Sequence, residues 1–386
     1  MVFLTYNIFV RILSIFFAFY LFLVLTPLAL AIYDPLTVQN NKMGVHILFL
    51  SELHEASQLV NNEDKGAWGY VTVPIQATDR DRKKWQAFLD ACLLERIIPI
   101  VRVATAPEDS NWAEPSNYDL IDFANFMSDL NWPVQNRYVI IFNEVNRSDE
   151  YGGQANPEKY ADILNNAIDI FKERSEDFFI LPAGLDNAAA TEKNSISWNT
   201  FLSRMYRRQP DIFNKIDGWT SHAYPNPDFS VRPDLSGSNK IDSFKSDLRY
   251  LKRFTSKKLP VFITETGWSN RYLSDKQVSL YYQYAFSKVW SDPIVVAVTP
   301  FLLNAQDGPF KQFSFLGNDY KLKEFAFNIS TLATVGHPTL TPPEIAQEVE
   351  ARPIFKIPEP MPEKEDPFSD INKLYNNLKS LFGLIN

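Results

Sequence analysis

From residue 43 onward, short β-branched runs alternate with amphipathic helical stretches, and this alternation restricts the fold more than any other feature. Parallel strands cannot be joined by tight turns, so strands that alternate with helices imply a parallel sheet covered by its own crossover helices. The strands are expected at 44–49, 69–74, 97–103, 138–142, 178–181, 216–221, 260–264 and 295–301. The helices are expected at 55–61, 79–95, 118–130, 157–176, 197–208, 241–256, 275–291 and 322–332. Asn156 before Pro157 is a cap followed by proline at the first helical position, and Ser274 with Gln277 forms a capping-box pattern. In the fourth helix Tyr160, Ile163, Leu164, Ala167, Ile168 and Phe171 recur at helical spacing, which gives a face to lay on the sheet. Eight such units imply closure into a (β/α)8 TIM barrel. An open doubly wound sheet is the alternative, but no G-x-G-x-x-G follows the first strand.

The flanks differ from this pattern. Arg11 precedes an apolar run at residues 15–25, and Ala29-Leu30-Ala31 supplies an A-x-A site. Residues 1–31 are therefore expected to be a signal peptide or, if uncleaved, a membrane anchor through residues 12–32. Either outcome puts the domain outside the cytoplasm, secreted or at the cell envelope. The catalytic domain is expected over 32–336, a proline-rich linker over 337–367 and an amphipathic helix over 368–386.

The net charge is −8 with no basic run, which argues against nucleic acid as a partner. The membrane is expected as a partner only through the N-terminal segment, and the chain is expected to act as a monomer without a cofactor. The single cysteine, Cys92, shares an apolar helix face with Trp85, Phe88 and Leu89 and is expected to be a buried filler.

In a barrel of this kind, polar residues at the C-terminal ends of the strands face the substrate. Two apolar runs stop at an acid: Tyr138-Val139-Ile140-Ile141-Phe142 meets Asn143-Glu144, and Val261-Phe262-Ile263-Thr264 meets Glu265. A carboxylate at the end of a buried strand is costly unless it is bonded or used. The fourth and seventh strands lie on opposite sides of an eight-stranded mouth, so the two acids can converge on a ligand between them. Glycoside hydrolysis requires such a pair, one carboxyl to protonate the leaving oxygen and one to attack or to activate water.

The N-E dipeptide closing the fourth strand and Thr264-Glu265-Thr266-Gly267-Trp268 closing the seventh resemble clan A of the glycoside hydrolases, the retaining 4/7 superfamily. Ser221-His222-Ala223-Tyr224 resembles the H-x-Y end of the sixth strand in its cellulase-type and xylosidase-type families. The resemblance spans residues 43 to 335. It implies that Glu144 is the acid/base and Glu265 the nucleophile, with Glu144 protonated and Glu265 ionised when substrate binds. It further implies that Asn143 bonds the sugar 2-hydroxyl, that Tyr224 holds the nucleophile and that His222 lines the central subsite. Three positions depart from the family pattern. Val145 stands where proline is common, Gln76 closes the second strand where an arginine is common, and Phe301 stands near the end of the eighth where many relatives have tryptophan. Arg102 on the third strand could replace the arginine, and Trp268 or Trp112 could supply the stacking surface for a carbohydrate substrate.

Other classes fit less well. Only His46, His54, His222 and His337 could serve a metal site, with no H-x-H or H-E-x-x-H, so no metal is expected. No G-x-S-x-G elbow marks a serine hydrolase. A catalytically silent carbohydrate-binding barrel tethered at the envelope is the alternative to a retaining hydrolase.

Overall fold

The computed structural model describes residues 40–61, 68–108, 110–305 and 308–332. The expected signal segment (1–31), the proline-rich linker (337–367), the C-terminal helix (368–386) and His337 lie outside the described residues.

The strands are β1 (Asn40–His46), β2 (Trp68–Gln76), β3 (Ile97–Ala104), β4 (Arg137–Ile141), β5 (Phe178–Pro182), β6 (Trp219–His222), β7 (Val261–Glu265) and β8 (Val295–Val298). They form one parallel sheet in the order β5-β4-β3-β2-β1-β8-β7-β6. β5 and β6 stand at its two ends and meet to close the barrel. There the Asp217 N–H donates to the Ile180 carbonyl at 3.0 Å, and the Thr220 hydroxyl donates to the Pro182 carbonyl at 2.7 Å. A parallel bridge between Asp186 and His222 continues the seam.

Strand side chains alternate between two environments. On β4, Tyr138 and Ile140 point into the barrel with Tyr70, Ile100, Leu181 and Phe262, while Val139 and Ile141 face the surrounding helices. Each fully buried side chain of this size contributes roughly 1.5–3 kcal/mol. The longer helices are α1 (Leu53–Val60), α2 (Arg82–Leu94), α3 (Asn117–Ser128), α4 (Pro157–Arg174), α5 (Trp198–Arg208), α6 (Ser243–Leu251), α7 (Asp275–Tyr284) and α8 (Glu324–Ser330), with a single helical turn at Ile212–Lys215. The start signals operate as the residues require. Asn156 Oδ1 accepts from the Lys159 N–H at 3.0 Å, and Ser274 and Gln277 exchange both capping-box bonds. Cys92 is buried on α2.

Some boundaries move for identifiable reasons. β1 ends at His46, not at 49, because the Glu52 carboxylate accepts from the backbone N–H groups of Leu48 and Phe49 and turns the chain into a 3-10 turn at Leu50–Glu52. α7 gives way to a π turn at Ala285–Val289, so the expected long helix is two pieces. A ribbon pairing Pro107–Glu108 with Asn111–Trp112 rises over the mouth after β3; nothing in the local pattern announced it.

Candidate active site

The C-terminal ends of the strands deliver a cluster of buried polar side chains to the mouth of the barrel. At the end of β4 the backbone twists sharply, with Phe142 at φ +68 and Glu144 at φ +31. Positive φ is costly for residues with a Cβ and persists where the surroundings enforce it, as functional sites often do. The Glu144 N–H donates to the Gly184 carbonyl at 3.0 Å, which fixes the turn and aims the carboxyl inward.

Glu144 and Glu265 are 6% and 4% exposed, and both face His222. His222 Nδ1 lies 2.8 Å from Glu144 Oε1 and 3.8 Å from Glu265 Oε2. The Arg102 guanidinium donates through Nη1 to Glu265 Oε1 at 2.9 Å and to Asn143 Oδ1 at 2.6 Å. The Tyr224 hydroxyl donates to Glu265 Oε2 at 3.1 Å. One carboxylate oxygen from each glutamate and a ring nitrogen of His222 lie within 4.8 Å of one another.

The two carboxyls are driven in opposite directions. Burial raises Glu144, and the nearby Asp186 charge adds to this; the His222 bond and Arg147 offset it only in part, so it stays above the usual range. Burial also pushes Glu265 upward, but His222, Arg102 and the Tyr224 hydroxyl outweigh it and hold this carboxyl below the usual range. For His222, burial works against the cation, and Glu265 and Glu144 more than restore it, so its pKa is raised. A buried acid pair split in this way is suited to divided roles as proton donor and charged base or nucleophile.

Glu144, His222 and Glu265 are also the one group among the described residues that could ligate an ion in this cluster. The donor chemistry is poor for it. His222 Nδ1 is already directed at a carboxylate, and a cation on Glu265 would sit beside the Arg102 guanidinium, against like charge.

Of the residues singled out from the sequence, Glu144, Glu265, Asn143, His222, Tyr224 and Arg102 come together here. Trp268 does not. Its indole is 2% exposed, donates to the Val231 carbonyl at 2.8 Å and packs against Tyr281, Tyr282 and Trp290. It is a core residue, and its expected role against substrate is corrected on that ground. Trp112, carried by the ribbon after β3, lines the recess instead.

The recess holds about 720 Å³ counted out to solvent, with walls from the ends of β1, β2, β3, β4, β7 and β8, including Gln76, Phe142 and Phe301. Two polar residues in this region were not anticipated. His46, at the end of β1, is fully buried, its Nδ1 3.8 Å from Glu265 Oε1. Burial, then the Arg102 charge, lower its pKa to about 3, which keeps it neutral. Glu150 lies in the loop after β4, 7% exposed, and its Oε1 accepts from Asn143 Nδ2 at 3.0 Å. The signal for His46 was there in the sequence, a polar residue near a strand end; the strand was expected to run three residues longer, which hid it.

No protein-family model and no curated sequence matches the chain. Solved structures do resemble it in fold. A monomeric β-xylosidase from Caulobacter crescentus is 13% identical with a TM-score of 0.57, covering 78% of this chain and 69% of the other. GH5_18 from Streptomyces cattleya, solved in complex with GlcNAc, is 14% identical with a TM-score of 0.55, covering 76% and 79%. The endoglucanase Cel5A from Thermotoga maritima is 13% identical with a TM-score of 0.52, covering 77% and 99%. At such identities the likeness shows the barrel fold, which these glycoside hydrolases share with this chain.

Proposed function

We propose that this barrel is a retaining O-glycoside hydrolase in which Glu265 is the nucleophile and Glu144 the acid/base, acting on an oligo- or polysaccharide outside the cytoplasm. One observation carries the reading: two buried carboxyls from the ends of β4 and β7 each have an oxygen within 4.8 Å of the other's, with acidities shifted in opposite directions. Carboxyl groups about 5–5.5 Å apart suit double displacement, whereas an inverting enzyme needs roughly 6.5–9.5 Å to admit a water. Glu265, ionised and oriented by Arg102 and Tyr224, attacks the anomeric carbon. Glu144, protonated, gives its proton to the leaving oxygen, then as carboxylate takes one from the water that releases the sugar.

Azide rescue separates the two roles. With dinitrophenyl glycosides, whose leaving groups need no proton, Glu144→Ala should complete the first step and accumulate glycosyl-enzyme. Azide should then restore turnover and give a glycosyl azide of retained configuration. Glu265→Ala should be inactive alone and give, with azide, the inverted adduct. The opposite stereochemistry in the two variants would exchange the roles. Failure of the wild-type protein to hydrolyse any member of a broad panel of aryl glycosides and polysaccharides would leave the silent binding barrel in its place. The extracytoplasmic assignment rests on Arg11, the apolar run and Ala29-Leu30-Ala31. N-terminal sequencing from the native host should find Ile32 first or an intact membrane-bound chain, and soluble full-length protein in the cytoplasm would refute it.

A further inference from the structure

The glycosidase reading leaves one carboxyl of the recess without a task. Glu150 reaches the recess beside Asn143, Glu144 and Trp112, yet belongs to neither end of the catalytic pair. A buried carboxyl is costly unless it is bonded or used, and this one is bonded to a residue that faces the sugar.

The bond has a definite sense. Arginine can only donate, so the Asn143 atom 2.6 Å from Arg102 Nη1 is the amide oxygen, and the amide nitrogen must face Glu150 at 3.0 Å. A flipped Asn143 would set its NH2 group against the guanidinium. Arg102 and Glu150 thus grip the two ends of one amide. Glu150 takes one hydrogen of Nδ2 and leaves the other for a sugar hydroxyl.

Glu150 is itself held in place. The Trp112 N–H donates to the Asp149 carbonyl at 2.9 Å, and the Gly152 N–H donates to the Trp112 carbonyl at 2.9 Å, zipping the loop to the ribbon. Gly152 permits that approach: its φ is +61, and a Cβ there would lie 2.6 Å from the Glu114 Cβ. The clasp holds the indole and the carboxyl on the same wall. An aromatic face beside a hydrogen-bonding group is suited to a sugar ring, with its apolar face and rim of hydroxyls.

We propose, resting on the glycosidase reading, that Glu150 is a substrate-positioning residue that fixes the Asn143 amide and offers its own carboxyl, beside Trp112, to a hydroxyl of a neutral sugar. Burial, the largest influence on it, raises its pKa well above the ordinary carboxylate range and favours the protonated form, which can donate as well as accept. A uronic acid would be a poor occupant. Its carboxylate would enter beside the ionised Glu265, and the one cation among the described lining residues, Arg102, is already shared by Glu265 and Asn143. Arg147 is engaged by Asp149 and Asp186.

The test compares Glu150→Leu, Glu150→Gln and Glu150→Asp with wild type on aryl glucosides, xylosides and mannosides, with aryl glucuronide alongside and Glu265→Ala as reference. Glu150→Leu should lower kcat/KM by roughly 10- to 100-fold, with a fall in kcat, because the Asn143 contact strengthens in the transition state. Glu150→Gln should restore most of the loss, since its amide accepts from Asn143 and donates as the protonated acid does. Should Glu150→Leu fail to fold, Glu150→Asp carries the test: it keeps the acid but withdraws it by one methylene, and should lose a similar factor. A residue with only a packing role would lower thermal stability and leave kcat per folded molecule unchanged. The proposal is overturned if both Glu150→Leu and Glu150→Asp retain wild-type kcat/KM, if Glu150→Gln is as impaired as Glu150→Leu, or if glucuronide is preferred to glucoside. Undiminished turnover by Glu265→Ala would instead remove the glycosidase assignment itself, and no turnover by wild type would remove both.

Discussion

Gly184, two residues beyond β5, has ordinary backbone geometry, so alanine there is limited by space alone. The space is absent. A Cβ would lie 2.2 Å from His222 Cδ2 and 2.3 Å from His222 Nε2. Non-bonded carbons settle at roughly 3.5–4.0 Å, so the imidazole must retreat by more than about 1 Å. The ring is 4% exposed and is held 2.8 Å from Glu144 Oε1, so it cannot retreat and keep that bond. Overpacking of this kind costs about 1–3 kcal/mol, and a displacement of about 1 Å near reacting groups costs roughly 100-fold in rate. Gly184→Ala should therefore melt somewhat earlier yet fold, with kcat/KM on an aryl glycoside down by about two orders of magnitude. The loss should disappear in the background of His222→Ala, because there the added methyl meets no ring; this non-additivity marks the ring as the agent. Wild-type kcat/KM in Gly184→Ala, or full additivity with His222→Ala, would refute the packing on which the argument depends.

Three further outcomes follow from the same geometry. The pH profile of kcat/KM should be bell-shaped, its acid limb set by ionisation of Glu265 below the ordinary carboxylate range and its alkaline limb by loss of the Glu144 proton above it; a single limb would count against the pair. Glu52 is buried and its pKa is raised by that burial to about 7, so the folded chain keeps a proton that the unfolded chain loses near its ordinary value. Stability from this group is present at low pH and declines as pH rises from about 4.5 to 7, by at most about 3 kcal/mol, so denaturant titrations should show Glu52→Gln gaining on wild type at pH 8 relative to pH 5. Trp268→Ala should cost about 3–5 kcal/mol of stability, whereas Trp112→Ala should chiefly raise KM, and the reverse pattern would restore Trp268 to the recess.

The barrel was legible because each strand advertises itself: Val139 and Ile141 face helices while Tyr138 and Ile140 fill the interior, so β4 is apolar from Tyr138 onward and the run stops at a polar dipeptide. The same abrupt stops marked Glu144 and Glu265, and Arg102, expected as a replacement for an arginine at the end of the second strand, is aligned with Pro74 of that strand. Side-chain direction beyond the strand ends was not legible. Trp268 lies three residues past Glu265, and whether its ring turns to the mouth or to the core beneath α7 depends on partners far away in sequence, Val231 and Trp290 among them. Glu150 was hidden for a related reason. Its loop is shaped by backbone bonds to a two-residue ribbon too short to leave a periodic signal.

The position of His222 between the two glutamates has a consequence for how charge moves during turnover. At the start of the proposed first step the trio holds an ionised Glu265, a neutral Glu144 and an imidazolium favoured by the Glu265 charge. At its end Glu265 is tied up as an uncharged ester and Glu144 has become the anion. The sum is zero before and after, and the negative charge has passed from the oxygen 3.8 Å from Nδ1 to the one 2.8 Å away. A nearly dry site is penalised for every unbalanced ion it must hold, and reorganising solvent to follow a migrating charge is what slows such reactions in water. Here the counter-ion stands still while the charge changes sides around it, so the interior passes through the bond-breaking event without a change in electrical balance.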